Sequence, residues 1–298
     1  MRAPDWTIEG RDWPHRAASR FVTSGGLRWH VQIAGEGPVL LLLHGTGAAT
    51  HSWRDLMPLL AKDFTVVAPD LPGHGFTRAA DRPTLPRVAA LIGGLLETLD
   101  QRPALVVGHS AGAAIALRVV LDAGGSTPIV SLAGALQPFP GIAARLFPAM
   151  AQMLFLNPLV PRLFALQARS GTEVSRFMLR STGSAINARG LDLYRRLFGC
   201  AGHVAGALAM MAHWDLETFA RDLGALEARV LLLHGSRDTA IPSASARAVA
   251  TQLKHADAAI VDGLGHLLHE EAPVDIAERI VSFARSSGIL GADKEHAI

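Results

Sequence analysis

The 298-residue sequence contains one cysteine, Cys200, and few charged residues. A single cysteine cannot form an internal disulfide, so the chain fits a reducing compartment, and the simplest role for Cys200 is that of a small buried hydrophobe. Charged residues make up 18% of the chain, and the formal net charge is +2 with histidine neutral. No run of basic residues alternates with aromatic residues, so we expect no nucleic-acid partner.

Long apolar runs are missing as well. No stretch reaches the roughly 18 uninterrupted apolar residues of a membrane span, and the nearest candidate, residues 146–166, contains three prolines and Arg162. Residues 1–10 carry Asp5 and Glu9 and no apolar core, so we expect no signal peptide. The expected location is the cytoplasm, and peripheral contact with the inner membrane stays open.

Metal-binding patterns are absent although the chain has 13 histidines. There is no H-E-x-x-H motif and no cysteine–histidine pairing, so we expect neither a metal nor another cofactor. His203 and His213 are expected to be structural, with contact to a polar or metallated ligand as the alternative.

Hydrophobic residues make up 49% of the chain and form short continuous runs. Such runs are typical of strands buried on both faces of a parallel sheet. They occupy residues 39–43, 64–68, 104–107, 129–132, 230–233 and 258–261. Helical periodicity alternates with them at residues 85–99, 111–121, 244–253 and 274–284. This alternation predicts an α/β fold with a mostly parallel, doubly wound sheet, and two β-rich runs around Gly25 and Gly26 predict an antiparallel hairpin at one edge.

The alternation stops at residues 137–221, which contain proline-punctuated helical segments rich in Leu, Phe and Met. This stretch is too long for a loop. We interpret it as an inserted helical cap over the carboxyl ends of the strands, where ligands bind in such folds. The predicted core then comprises residues 1–136 and 222–298.

Ser110 lies in the motif Gly-His-Ser-Ala-Gly between a buried strand and a helix of small residues. A serine hydroxyl becomes a useful nucleophile when a sharp strand-to-helix turn lifts it beside a base. Small neighbours, here Gly108, Gly112 and Ala113, prevent clashes at that turn. The pattern therefore predicts a nucleophile elbow, with the helix amino terminus directed toward a developing oxyanion.

The acid and base are expected to follow in the order Asp, then His. Asp238 follows the run at 230–233, and His266 follows the last run, so both are placed at the carboxyl edge of the sheet. His266 would take the Ser110 proton while Asp238 orients the imidazole. A helix N-cap or an ordinary turn role is the alternative for Asp238. His269 is the competing base, but its neighbour Glu270 and the next glutamate are expected to open the final helix.

The segment His44-Gly45-Thr46-Gly47 follows the first long buried run, where this kind of site takes its second oxyanion donor. The amides of Thr46 and Gly47 are expected to act with that of Ala111. His44 is expected mainly to form structural hydrogen bonds. The segment at 70–75 lacks the residues of a phosphate-binding loop, so we interpret it as a turn on the active-site face.

Apolar side chains in the cap can line a large pocket if they face inward, or bind a membrane or partner if they face outward. Ordinary packing explains most of them. Their density favours a bulky hydrophobic substrate over a small polar one. The candidate pocket residues are His44, Phe139, Phe147, Met150, Met153, Phe155, Met210 and Trp214.

From about residue 20 to residue 284, the order of strands, elbow, acid and base resembles the α/β-hydrolase superfamily. Serine at position 110 differs from the epoxide hydrolases and haloalkane dehalogenases, which place aspartate there. Several segments more narrowly resemble the magnesium-chelatase accessory α/β-hydrolase-like proteins of bacteriochlorophyll biosynthesis. They are GRDWP at 10–14, LLLHGTGAATHSW at 41–53, VAPDLPGHGFT at 67–77, VGHSAGA at 107–113, NPLVP at 157–161 and MMAHWDL at 210–216.

The resemblance implies a role beside magnesium insertion into a porphyrin, with a tetrapyrrole ester or a magnesium chelatase subunit as partner.

The sequence alone leaves three functions open. The first is a serine hydrolase acting on an ester of a bulky hydrophobic molecule, and the second is a non-catalytic accessory protein that binds a porphyrin or a chelatase subunit. The third is cofactor-free perhydrolysis or C–C bond cleavage with the same residues.

Overall fold

The computed structural model describes residues 1–138, 153, 157, 159–168 and 170–291. The described strands are β1 (Ser19–Ser24), β2 (Leu27–Ala34), β3 (Val39–Leu43), β4 (Thr65–Pro69), β5 (Leu105–His109), β6 (Ile129–Leu132), β7 (Val230–Gly235) and β8 (Ala256–Val261). Within this part of the chain they form one eight-stranded sheet in the order β1-β2-β4-β3-β5-β6-β7-β8. β1 and β2 are antiparallel to each other, and β2 is antiparallel to β4, whereas the pairs from β4 to β8 are parallel. The predicted α/β-hydrolase fold with an antiparallel hairpin at one edge is confirmed.

The sheet is covered on both faces, which explains why its central strands are continuously apolar. In β3, residues Leu40 to Leu43 have no exposed surface. Leu41 and Leu43 pack into the cluster on the side of α2 (Leu85–Thr98) and α3 (Ala111–Asp122). Leu40 and Leu42 pack into the opposite cluster, which includes α1 (Met57–Leu60) and α11 (Pro273–Ser286).

Most predicted element boundaries agree with the structure to within one or two residues. The short helix α9 (Ala244–Ala250) ends three residues before the predicted boundary. The predicted final helix, residues 274–284, corresponds to α11, and a separate short helix, α10 (Leu268–Glu271), precedes it. A proline at the start of a helix costs no hydrogen bond, so Pro273 favours a new helix at this point.

Several helices lie between β6 and β7, within the segment predicted to form the cap. They are α4 (Leu159–Gln167), α5 (Gly171–Thr182), α6 (Ala188–Phe198), α7 (Ala201–His213) and α8 (Leu216–Asp222), and we refer to them as the helical insertion. α7 lies directly on the turn after β4, since a Cβ added at Gly206 would be 2.1 Å from the carbonyl oxygen of Gly73. The division into core and cap at residues 137 and 221 stays a prediction. Among the described residues, no helix has both the length and the apolar character needed to cross a membrane.

Candidate active site

Ser110 occupies a strained turn between β5 and α3. Its φ of 52° and ψ of −116° lie outside the favoured regions for an L-residue, which costs on the order of 1–3 kcal/mol. The turn is held in place because the Ser110 amide donates to the Leu132 carbonyl at 2.9 Å, and the Ser110 carbonyl accepts from the Ala135 amide at 3.1 Å. The Ser110 side chain makes no capping hydrogen bond to α3. Its hydroxyl therefore remains available to a base.

The elbow requires glycine because three backbone segments meet there. A Cβ added at Gly112 would lie 2.0 Å from the carbonyl oxygen of Leu43 in β3. A Cβ added at Gly45 would lie 2.8 Å from Nδ1 of His109 and 3.1 Å from Cβ of Ser110. The loop after β3 therefore packs directly against the elbow, which places the predicted oxyanion segment beside the serine.

Asp238 and His266 are joined by a hydrogen bond. The Nδ1–H of His266 donates to Oδ2 of Asp238 at 2.7 Å, and the side chains are 8% and 0% exposed, respectively. Of the two candidate bases, His266 is thus the one bonded to Asp238. His269 is fully buried and instead donates to the hydroxyl of Ser52 at 2.8 Å.

Three groups donate hydrogen bonds to the Asp238 carboxylate, and a second histidine, which was not expected from the sequence, lies beside it. Oδ1 accepts from the amides of Ala240 and Ile241 at 2.8 and 2.9 Å, as expected of a turn residue. Oδ2 accepts from His266 at 2.7 Å. Nε2 of His234 lies 2.9 Å from Oδ2 and donates to the carbonyl of Ile241, also at 2.9 Å. Burial raises the pKa of Asp238, but the nearby rings of His234 and His266 outweigh it and hold the pKa well below the usual value. Asp238 therefore combines the turn role with an ionised partner for His266.

The backbone around His266 is anchored from both the elbow and the helical insertion. Nε2 of His109, the residue before Ser110, donates to the carbonyl of His266 at 3.0 Å, and the two rings are 4.8 Å apart. The amide of His266 donates to the carbonyl of Thr182 in α5 at 2.8 Å. Burial lowers the pKa of His109 well below its usual value. The imidazole that lies between Ser110 and His266 is therefore uncharged.

The predicted oxyanion segment is held by α7. The Thr46 hydroxyl contacts the sulfur of Met210 at 3.5 Å. Nδ1 of His203 accepts from the amide of Gly75 at 3.0 Å, so its Nε2–H donates to the carbonyl of Gly47, also at 3.0 Å. His203 is fully buried and has no free ring nitrogen, which contradicts the alternative of ligand binding at this residue. The helical insertion thus fixes the loop from which the oxyanion amides are expected to come.

The other predicted pocket residues fall into three groups. His44 is fully buried, donates through Nδ1 to the Gly45 carbonyl at 2.8 Å and accepts at Nε2 from the Leu71 amide at 2.9 Å, so its role is structural and its place in the predicted pocket is wrong. Trp214 is half-buried beside the core, whereas Met153 is 66% exposed and lies at the surface. Phe139, Phe147, Met150 and Phe155 lie outside the described residues.

A buried ionic network beside the site was missed from the sequence. The Glu270 carboxylate binds the Arg54 guanidinium and accepts hydrogen bonds from Ser52 at 2.6 Å and Tyr194 at 2.8 Å. The expectation that Glu270 opens the final helix is wrong, because Glu270 lies in α10 and the final helix begins at Pro273. Its carboxylate instead bridges the core and α6. The only available signal was an acidic pair before a proline, which does not reveal partners 76 to 218 residues distant in sequence.

The turn after β4 contains a third buried acid, after Asp238 and Glu270. Asp70 accepts from the amides of Thr50 and Phe76 at 2.7 and 2.9 Å and from Nδ1 of His30 at 2.7 Å. Burial raises its pKa, but His30 and these amides hold it well below the usual value. The turn predicted on the active-site face is thus organised around an ionised carboxylate.

Metal and thiol chemistry find no support among the residues that the structure describes. No group of three or more His, Cys, Asp or Glu side chains in that part of the chain is arranged to hold a metal ion. Cys200 is buried and its thiol contacts the carbonyl of Arg196 at 3.3 Å. Burial raises the pKa of this thiol to about 11, so it is not activated as a nucleophile.

Comparisons with known proteins identify the family of the chain. The model of the alpha/beta hydrolase family matches residues 40–279. The magnesium-chelatase 30 kDa subunit of Rhodobacter capsulatus is 39% identical over 283 residues, covering 91% of this chain and 96% of that protein. The pimeloyl-[acyl-carrier protein] methyl ester esterase of Xanthomonas campestris is 29% identical, covering 85% and 98%. The ligand-free structure of the epoxide hydrolase CorEH superposes with a TM-score of 0.77 at 23% identity over 90% of this chain and 99% of that one, a likeness of fold alone. The chain belongs to the alpha/beta hydrolase family.

Proposed function

We propose that this protein is a serine hydrolase that cleaves an ester of a bulky hydrophobic molecule. The observation that carries the proposal is the 2.7 Å hydrogen bond from His266 to the buried Asp238, with His109 linking His266 to the strained elbow at Ser110. A binding protein has no need of a nucleophile, a base and an ionised acid in this order.

In the proposed mechanism, the Ser110 oxygen attacks the ester carbonyl while Nε2 of His266 takes the hydroxyl proton. Asp238 stabilises the resulting imidazolium, and the amides of Thr46, Gly47 and Ala111 bind the oxyanion of the tetrahedral intermediate. The intermediate then collapses, and His266 returns the proton to the leaving alkoxide, which departs as the alcohol. Water, deprotonated by His266, attacks the acyl-enzyme and releases the acid and free Ser110.

The proposed substrate class is supported by an apolar cavity in the helical insertion and by the name of one relative. Between α4, α5 and the end of α6, mainly aromatic and aliphatic side chains, together with Gln167 and Glu173, line a cavity of about 150 Å³ that can hold an apolar substituent. The relative named a magnesium-chelatase subunit supports a substrate in magnesium–porphyrin synthesis, including a tetrapyrrole ester. The same name favours a second candidate, a non-catalytic protein that binds a porphyrin or a chelatase subunit.

A fluorophosphonate probe separates these candidates, because it reacts covalently with an activated serine. We expect wild type to be labelled and Ser110→Ala not to be. Ser181→Ala, which removes a hydroxyl bonded within α5, is the matched control and is expected to keep full labelling.

Equal labelling of wild type and Ser110→Ala would contradict hydrolysis at this residue. An absorbance titration with protoporphyrin, run on both proteins, then tests the second candidate. Saturable binding without probe labelling would favour the non-catalytic role.

A further inference from the structure

The helix α4 presents an apolar strip to the solvent. Leu159, Leu163 and Leu166 are 55%, 59% and 58% exposed. Their spacing of four and three residues places them within an arc of about 60° on the helix surface. A helix of a globular protein usually turns such a strip toward the core, so an outward-facing strip indicates a binding surface.

The neighbouring helix α5 continues this surface and makes it cationic. Phe177 is 45% exposed, and Arg176 and Arg180 are exposed on the same helix. Arg162 is exposed beside the leucines of α4, whereas the described part of α4 and α5 contains one acidic residue, Glu173. We call the exposed side chains of α4 and α5 the outer face.

Two concavities open at the outer face. The mainly apolar cavity of about 150 Å³ is lined by Phe164, Phe198 and the exposed Phe177, and Gln167 and Glu173 are its polar members. A more open groove of about 440 Å³ is lined by Glu173, Arg176, Phe177, Arg180 and Ser181. Arg176 is paired with Glu173 at 2.8 Å, whereas Arg180 and Arg162 are the cations in excess on this face. A surface that combines exposed leucines, an apolar cavity and an arginine-lined groove matches the acyl chains and anionic headgroups of a lipid monolayer.

We propose that the outer face docks on an anionic lipid membrane. The leucines of α4 enter the boundary between headgroups and acyl chains, and Arg162, Arg176 and Arg180 contact the lipid phosphates. The excess of arginine over acid favours this occupant over a second copy of the chain, since two such faces would repel each other. The docking surface goes beyond the proposed hydrolysis and does not depend on it. In the docked state, the mouth of the apolar cavity faces the lipid, so a membrane-dissolved hydrophobic molecule reaches the helical insertion without crossing water.

Vesicle co-sedimentation tests the proposal with the full-length protein. Wild type is expected to bind vesicles of phosphatidylcholine mixed with phosphatidylglycerol, to bind phosphatidylcholine alone at least about tenfold more weakly, and to be released by high salt. The double variant Leu163→Glu/Leu166→Glu is expected to lose binding by about tenfold or more. Val274→Glu, at an apolar residue that is 58% exposed in α11, is the matched control and is expected to bind like wild type.

A second variant, Arg176→Gln/Arg180→Gln, keeps the apolar strip and is expected to lose the salt-sensitive part of the binding. Ser110→Ala is expected to bind as wild type does, so a failure of the hydrolase proposal is distinguished from a failure of the docking proposal. Wild type that binds neither kind of vesicle would overturn the docking surface. The docking surface would also be overturned if light scattering shows a dimer that the leucine variant converts to a monomer while vesicle binding is absent.

Discussion

His203 forms hydrogen bonds from α7 to two loops at the active-site face, and protonation of its ring should break one of these hydrogen bonds. In the neutral ring, Nδ1 accepts from Gly75 while Nε2–H donates to Gly47. A proton added at Nδ1 would face the Gly75 N–H, donor against donor. Burial lowers the pKa of His203 to about 4; the carbonyl of Gly47 and the Asp70 carboxylate oppose this shift, and the neighbouring His44 reinforces it. Folding therefore favours the neutral ring.

The sign and size of the pH effect follow from the difference between the pKa of His203 in the folded protein and its pKa in the unfolded chain. An unfolded histidine titrates at about 6.5, so below that pH the unfolded chain binds a proton that folded His203 refuses. The free energy of unfolding therefore falls as the pH drops from about 6.5 toward 4, and His203 causes no change above that window. Between pH 7 and pH 5.5, its contribution amounts to a loss of about 1.2 kcal/mol. His44, His51, His74, His109 and His269, whose pKa values are also lowered mainly by burial, act in the same direction.

The variant His203→Gln isolates this contribution, because glutamine can accept from Gly75 and donate to Gly47 but does not titrate. Urea unfolding followed by tryptophan fluorescence at both pH values should show a pH-dependent loss about 1.2 kcal/mol smaller than in wild type. His255→Gln replaces an exposed ring and serves as the control, with the wild-type pH dependence expected. If His203→Gln retains the full wild-type pH dependence, the assignment of a buried neutral imidazole at this position is refuted.

Two further predictions concern the buried acids. Asp238→Asn should slow fluorophosphonate labelling by about 10³- to 10⁴-fold, because an amide cannot fix the His266 tautomer or stabilise the imidazolium; labelling within tenfold of wild type would contradict this role. Glu270→Gln should lower the free energy of unfolding in urea by about 3 kcal/mol, because the buried Arg54 loses its buried counter-charge. Glu227→Gln, which removes an exposed ion pair, should lower the free energy of unfolding much less. An equal decrease in both variants would refute the large effect expected for the buried pair.

The sheet and the order of the candidate site could be predicted because they depend on local patterns. A run such as residues 39–43 has no polar member, and only a strand covered on both faces accommodates that. The elbow requires a strand, a serine between glycines and a helix in direct succession, so its signal is contiguous. Asp238 and His266 could be placed because parallel strands end at the same edge of the sheet.

The partners of the site could not be predicted, because they are distant in sequence. His203 lies 156 residues from Gly47, and nothing near either residue indicates the contact. Glu270 and Arg54 are 216 residues apart, and an acidic residue near a helix start has a simpler local explanation. His234 precedes the loop that carries Asp238, but the four-residue spacing between them becomes meaningful only once the turn is seen to fold back.

Tyr194 is the single tyrosine of the chain and lies where the helical insertion contacts the core. Its absorbance can therefore report whether this contact is intact. Its hydroxyl is buried against Glu270, and burial together with this carboxylate raises its pKa well above the ordinary value. While α6 is packed on the core, the phenol stays un-ionised even at about pH 10–11, where a tyrosine exposed to water ionises. Separation of α6 from the core would return the phenol to water and allow it to ionise. The ultraviolet absorbance of tyrosinate would then report opening of the insertion in the unlabelled wild-type protein.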